Sequence, residues 1–237
     1  MSDPLIEKIN ETLDNIQRKV DDLQNALNDT LGRIPGLLGW VADKILDAWN
    51  WFVGKLQEFW DWISNFLQHM GDPDRLTSTA DAWSQSVGGP VSARVGTADV
   101  GSLMVDDNWT GTAAEQYRQQ VPLQKTALQS VKFAFTDGIS GALKDVALAI
   151  KVWWAALAGA LVALAIALIE AIGAALGIIT APAAPLIAAG GVAVCASLLW
   201  GGGEVLKSQS ASANVTLNQK LAENAAYPNG AWPKAVL

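Results

Sequence analysis

The sequence predicts an all-α protein: amphipathic helical hairpins followed by an Ala/Gly-rich apolar helical hairpin. Three observations carry that prediction. Apolar residues recur every three or four positions through residues 5–67, the spacing of one helix face. Clusters of helix-ending residues at Gly32–Gly36, Gly71–Asp74 and Gly88–Pro90 divide the pattern into segments. Finally, Val152–Gly203 contains a single charge, Glu170, in 52 residues. Its first part, Val152–Ile169, is eighteen consecutive apolar or Gly residues, the length and composition of a membrane-spanning helix.

Composition narrows the function. The net charge of −7 is uneven: residues 1–70 carry 11 acids and 6 bases, residues 148–237 only 3 and 4. No segment offers the basic stripe that neutralises phosphates, so nucleic acid is not an expected partner. A single cysteine, Cys195, lies inside the apolar stretch and forms no intrachain disulfide. His69 is the only histidine, which leaves Ser-His-Asp, Cys-His and multi-histidine metal sites without their parts. With no phosphate-binding glycine loop either, the expectation is a protein that is not an enzyme and uses no cofactor or metal. The N-terminus, MSDPLIEKINET, lacks the basic and apolar regions of a Sec signal peptide.

In chain order, Leu5, Ile9, Leu13, Ile16, Val20, Leu23, Leu27 and Leu31 form the stripe of the first helix. Gly32-Arg33-Ile34-Pro35-Gly36 ends it, and a second helix follows over about 37–70. That helix holds five tryptophans, Trp40, Trp49, Trp51, Trp60 and Trp62, more than a core stripe needs. Trp is favoured both at membrane interfaces and at buried protein contacts, and both readings stay open. Gly71 closes this helix, Asp72 caps the next and Pro73 takes its first position. Leu76, Ala80, Trp83 and Val87 face inward until Gly88-Gly89-Pro90 imposes a kink. Asp106-Asp107-Asn108-Trp109-Thr110-Gly111 makes a turn, after which Thr112 and Glu115 have the spacing of a capping box. The new helix carries Tyr117, Val121, Gln124, Leu128, Val131, Phe135 and Ile139 on one side.

Two helices joined by Trp109-Thr110-Gly111, the first carrying Trp83, resemble the WXG100 family of helical-hairpin proteins of type VII (ESX) secretion over about residues 72–145. The Gly-Asp-Pro-Asp start and the apolar hairpin that follows resemble actinobacterial members with a membrane-associated extension. The resemblance implies a turn built on Trp109 and Gly111, hairpin packing through Trp83, Tyr117 and Leu128, and export as a folded helical dimer. It also implies a Tyr-x-x-x-Asp/Glu export signal. Here Tyr117 is followed four residues on by Val121 and Tyr227 by Ala231, so a partner would carry that signal.

The apolar stretch divides at Ala181-Pro182-Ala183-Ala184-Pro185 into arms 152–179 and 186–203. At 1.5 Å per residue these reach about 42 Å and about 27 Å, against a hydrocarbon core of about 30 Å. Of the 52 residues, 25 are Ala or Gly. Ala155, Gly159, Ala163, Ala167, Ala171 and Ala175 fall every fourth residue beside Gly173-x-x-x-Gly177, the small-residue pattern through which helices approach closely in lipid. Glu170 must face a partner, a polar cavity or the interface, or else lie beyond the span's core or be protonated. Lys144 and Lys151 before the hairpin and Lys207 after it place both its ends on one side of a membrane.

Four domains follow: 1–70, an amphipathic Trp-rich hairpin; 71–147, the WXG100-like hairpin; 148–206, the membrane-type hairpin; and 207–237, a polar helix and tail. The leading expectation is a non-enzymatic, type VII secretion-associated protein that oligomerises and inserts in or permeabilises a membrane. Its partners are then membrane lipid and a second copy, or another WXG100-like protein or toxin. Its location is the cell envelope membrane, or outside the cell after type VII export. The alternatives are a binding partner or chaperone of a secreted toxin, and an integral component of the secretion apparatus.

Overall fold

A computed structural model describes residues 4–68, 71–102, 108–222 and 225–235, with side chains of 4–6 and 66–68 left aside. His69, Asp106 and Asp107 lie outside the described residues. The protein is all-α, and the described residues contain no strand. The chain forms two compact units, one of residues 1–70 and 150–206, the other of 71–149 and 207–237.

The first unit is built from α1 (Pro4–Arg33), α2 (Gly39–Gln68) and parts of two longer helices, α6 (Asp137–Ala175) and α7 (Ala184–Ala222). All four contribute to a single hydrophobic core. On α1 the buried residues Ile9, Ile16, Leu23 and Thr30 form a seven-residue repeat, with Ala26 and Leu27 buried beside it. This is the seam along which two helices stay in register. The fourth position is polar because it bonds to backbone: the Thr30 hydroxyl donates to the Ala175 carbonyl at 2.6 Å, at the end of α6. On α2, Val41, Ile45, Phe52, Leu56, Phe59 and Ile63 are buried, as their spacing predicts. Trp153, Leu157, Leu161, Leu164 and Leu168 of α6 fill the centre, with Trp153 wholly enclosed.

The hairpin differs from its sequence-based outline at both ends. Helix α6 stops at Ala175, four residues before Ile179, because Thr180 folds back and its hydroxyl donates to the Ala174 carbonyl at 2.6 Å. Helix α7 does not stop at Gly201-Gly202-Gly203 but runs on to Ala222. The reason is packing. A β-carbon on Gly202 would lie 3.2 Å from the Trp153 ring and 3.3 Å from Ala156, so this glycine lets α7 approach α6 rather than ending the helix. Gly191 is tighter still, since a β-carbon there would overlap that of Ala167.

The second unit contains α3 (Pro73–Trp83), α4 (Gly89–Val95), α5 (Thr112–Ser130), residues 137–149 of α6, residues 207–222 of α7 and the C-terminal tail. Asp72 caps α3 as its sequence predicts, accepting from the amides of Asp74 and Arg75 at 2.9 and 3.0 Å. The expected kink before Pro90 takes the form of a π-helical turn, Ser84–Gly88, and a second π-helical stretch, Val131–Thr136, links α5 to α6. The two π segments pack on each other, with Gly88 against the Thr136 methyl group. Thr112 does not cap α5. Gly111 is the N-cap instead, with φ +102° and ψ 176°, a backbone conformation strained for any residue with a β-carbon, so Thr112 is already the first residue of the helix.

Two substitutions test the packing with opposite signs. Gly191→Ala forces α6 and α7 apart and lowers stability by about 1–3 kcal/mol. Gly159→Ala adds a methyl group to open space on α6 and raises helix propensity by up to about 1 kcal/mol. Chemical denaturation of the full chain reads both.

Candidate functional site

In the first unit the five tryptophans of α2 separate into two rows. Trp49 and Trp60 pack against the core, beside Phe52 and Phe59 at ring-centroid distances of 5.5 and 5.2 Å. Trp40, Trp51 and Trp62 are exposed. Within each row the interval is eleven residues, just over three whole helical turns, so each row stays on one face. One row thus packs against the core and the other lies on the surface.

Trp51 and Trp62 wall a groove between α2 and α7 of about 390 Å³. Across it stand Trp200 and a floor of Ala189, Ala193 and Ala196, whose small side chains leave the space open. Phe59 and Val192 complete the apolar lining. Lys55 and Glu58 sit at its rim, paired at 2.7 Å. Trp200 is a groove residue that the sequence reading misses. Its signal is its place at the end of an i, i+4, i+7 series of alanines, which leaves a bulky ring standing above small neighbours.

The hairpin's small-residue ridge does not keep to one face. Ala155 and Gly159 are exposed, Ala163 and Ala167 half-buried, Ala171 and Ala175 buried. Four residues turn a helix through 400°, so each step drifts about 40° and six positions sweep from surface to interior. Gly159 and Gly173 have open space where a β-carbon would point, and Gly177 lies against Thr180 inside the turn. The close approach of the two arms is made instead by Ala167 on Gly191 and by Trp153 and Ala156 on Gly202. Glu170 is exposed on a stripe with Val162, Ile166 and Ile169. Among the described residues it has no ion-pair partner.

In the second unit Trp83, at the end of α3, donates its indole N–H to the Phe135 carbonyl at 3.3 Å. Phe135 lies in a π-helical stretch, where the usual carbonyl pairing is displaced, so an indole is well placed to satisfy it. The Trp109 and Tyr117 rings meet across the Gly111 turn in a tilted contact, centroids 5.7 Å apart. Leu128 is half-buried on the same helix. Ser140 bridges the two halves, donating to the Ala80 carbonyl at 3.0 Å and sharing a 2.8 Å hydrogen bond with Ser84. The segment expected to be an extended tail is docked on α5: Tyr227 donates to the Ala127 carbonyl at 2.7 Å, Trp232 donates to the Gln124 side chain, and Gln124 donates to the Pro233 carbonyl. Lys125 of α5 pairs with Asp99 and holds its carboxyl below the usual range, mainly through that hydrogen bond.

The described residues contain no group of three or more His, Cys, Asp or Glu converging on one point. Comparison with known protein families, curated proteins and solved structures returns no match. The site's distinctive chemistry is thus apolar: a groove of tryptophan and alanine, and a hairpin with an exposed face.

Burial raises the Tyr227 phenol above its ordinary value of 10. The neutral form is the one favoured in the fold, so the tail's docking is fully present below pH 10 and weakens as the pH rises through the raised value. Tyr227→Phe removes the bond to Ala127 and loosens the tail by about 1 kcal/mol at neutral pH. Faster proteolytic clipping of residues 225–235 in this variant, and in the native chain at alkaline pH, is the expected result.

Proposed function

We propose that this is a non-enzymatic, type VII secretion-associated protein that oligomerises and inserts in or permeabilises a membrane through the hairpin of α6 and α7. Two helices are long and apolar enough to cross a membrane. The observation that carries the reading is the division of the hairpin's surface. One side is buried against α1 and α2 in the common core, and the other is left open. On α6 the open side is Val162, Ile166 and Ile169; on α7 it is Leu186, Val194 and Leu198. Exposed apolar side chains grouped on one side of each helix in this way suit an interaction site. Residues 150–175 and 184–206 rise through about 39 Å and about 34 Å, each sufficient for a bilayer core.

Assignment to type VII secretion rests on the WXG100 resemblance, supported by the positive φ of Gly111 at the start of α5 and by the tilted ring contact of Trp109 with Tyr117. The cell envelope, or the exterior after export with a partner that supplies the signal, is the location this implies. A second reading is favoured by one observation, the groove between α2 and α7. Its exposed Trp51, Trp62 and Trp200 would suit a partner or chaperone of a secreted toxin, with the groove taking an apolar side chain row of that partner.

Dye release from liposomes separates these readings. Purified protein releases the dye if the membrane reading holds, and vesicles that stay sealed at high protein load, with a stable one-to-one complex formed instead, favour the second. Ile166→Asp places a charge in the exposed stripe at about 2.5–3.5 kcal/mol on insertion scales and weakens release roughly a hundredfold. Glu170→Leu removes the charge already there and strengthens it.

A further inference from the structure

A turn at Tyr227-Pro228-Asn229-Gly230 shapes the C-terminal tail. The Gly230 amide donates to the Tyr227 carbonyl at 2.9 Å, and the Ala231 amide donates to the Pro228 carbonyl at 3.2 Å. Pro228 takes the second position and Asn229 the third, where φ 58° and ψ 28° meet the need of such a turn for positive φ. Among the described residues Asn229 is the one non-glycine residue with positive φ, and it is exposed. The turn separates the two anchors of the tail. On one side Tyr227 donates to the Ala127 carbonyl and meets the Phe135 ring at 6.1 Å. On the other, the Gln124 side chain of α5 holds the Trp232 indole and the carbonyl of the buried Pro233. The Tyr227 and Trp232 rings lie 5.8 Å apart, so both anchors depend on the spacing that the turn sets.

Asn229-Gly230 is also the chain's only Asn-Gly pair. With no side chain on the following residue, nothing shields the main-chain nitrogen from the asparagine side chain. The Gly230 nitrogen attacks Asn229 Cγ: the N–Cγ bond forms, the Cγ–Nδ2 bond breaks, and the amide proton leaves with Nδ2 as ammonia. Water then opens the five-membered imide at either carbonyl, yielding aspartate or isoaspartate, in which the main chain runs through Cβ. The docked turn opposes the first step. At ψ 28° the Gly230 nitrogen points away from Cβ, so ring closure needs the Cα–C bond swung to the opposite side. The Gly230 N–H is meanwhile engaged by the Tyr227 carbonyl. Both restraints are lost when the turn opens.

We propose that Asn229 is a self-modification site gated by the docking of the tail on α5, and that its conversion to isoaspartate releases the tail irreversibly. Conversion proceeds from the undocked state, at a rate set by the fraction of molecules in which the tail is open. Isoaspartate adds one carbon to the main chain between Tyr227 and Trp232, so the two anchors no longer reach α5 together. The aspartyl product keeps the original spacing and docks again. Release uncovers the Gln124 side chain, the Ala127 carbonyl and the Phe135 ring on one side of the second unit.

The test incubates the full chain at neutral pH and follows Asn229 by peptide mapping and mass spectrometry, with the free peptide of residues 225–235 as the unprotected reference. The native chain converts at least about tenfold more slowly than the peptide. Gln124→Ala leaves the tail sequence intact but removes the partners of Trp232 and Pro233, and it speeds conversion by about fivefold. Tyr227→Phe, which loses the bond at the other anchor, does the same; circular dichroism confirms that both variants keep their helices. The isoaspartyl form, separated by chromatography, is clipped within residues 225–235 faster than fresh protein. Asn229→Gly keeps the positive φ without the reactive amide, and after the same incubation it is clipped no faster than at the outset. Native protein that converts as fast as the peptide, or two folded variants that both leave the rate unchanged, overturns the gate. An isoaspartyl form clipped no faster than fresh protein overturns the release.

Discussion

An apolar hairpin stays in water only while something covers it, and in the first unit that cover is the amphipathic pair α1 and α2. The side chains Ile9, Ile16, Leu23 and Leu27 of α1 alone are each almost completely buried. At about 1.5–3 kcal/mol per aliphatic side chain, stripping α1 away in water costs on the order of 10 kcal/mol. That is comparable with the whole stability of a typical domain. The packing of α1 on the hairpin is therefore a major part of what holds this unit together. Much else in the unit reads as a consequence: the seven-residue seam of α1, the polar Thr30 at its end, and the glycines that bring α7 against α6.

The cover is also incomplete, and what it leaves out is informative. A two-helix cover reaches one side of a two-helix hairpin. Val162, Ile166 and Ile169 remain outside it, and Glu170 stands among them as the one charge on that stripe. A carboxylate in this position is costly to bury in lipid, which sets it apart from its apolar neighbours. The exposed row Trp40, Trp51 and Trp62 has a related character, since an indole accepts a surface that is apolar on one side and wet on the other.

Much of this is legible in the sequence and some is not, for identifiable reasons. Helical periodicity locates α1 and α2 and their buried faces, because a stripe at three-and-four spacing has one packing solution. The Asp72 cap is legible because its partners are two and three residues away. What depends on contacts across the chain is not. Thr30 continues the Ile9, Ile16, Leu23 repeat, yet its polarity masks it until the Ala175 carbonyl is seen opposite. The glycines are ambiguous for a similar reason: Gly159 and Gly173 match a close-packing motif and face open space, while Gly191 and Gly202, outside any motif, carry the contact. A glycine's neighbour decides its role, and the neighbour lies on another helix. The docked tail shows the same limit, since Tyr227 and Trp232 find their partners on α5 about a hundred residues earlier.

The three consecutive glycines of α7 have one further consequence. Only Gly202 is required by the approach of Trp153; Gly201 and Gly203 have nothing within 4 Å of where a β-carbon would stand. Each glycine in a helix interior forfeits about 1 kcal/mol relative to alanine. Helix α7 thus carries its weakest turn just before Leu206, where the first unit's share of the helix ends and the second's begins. On the scale of amide exchange, that turn opens to solvent more readily than the alanine-rich helix before it, giving one continuous helix two halves of unequal persistence.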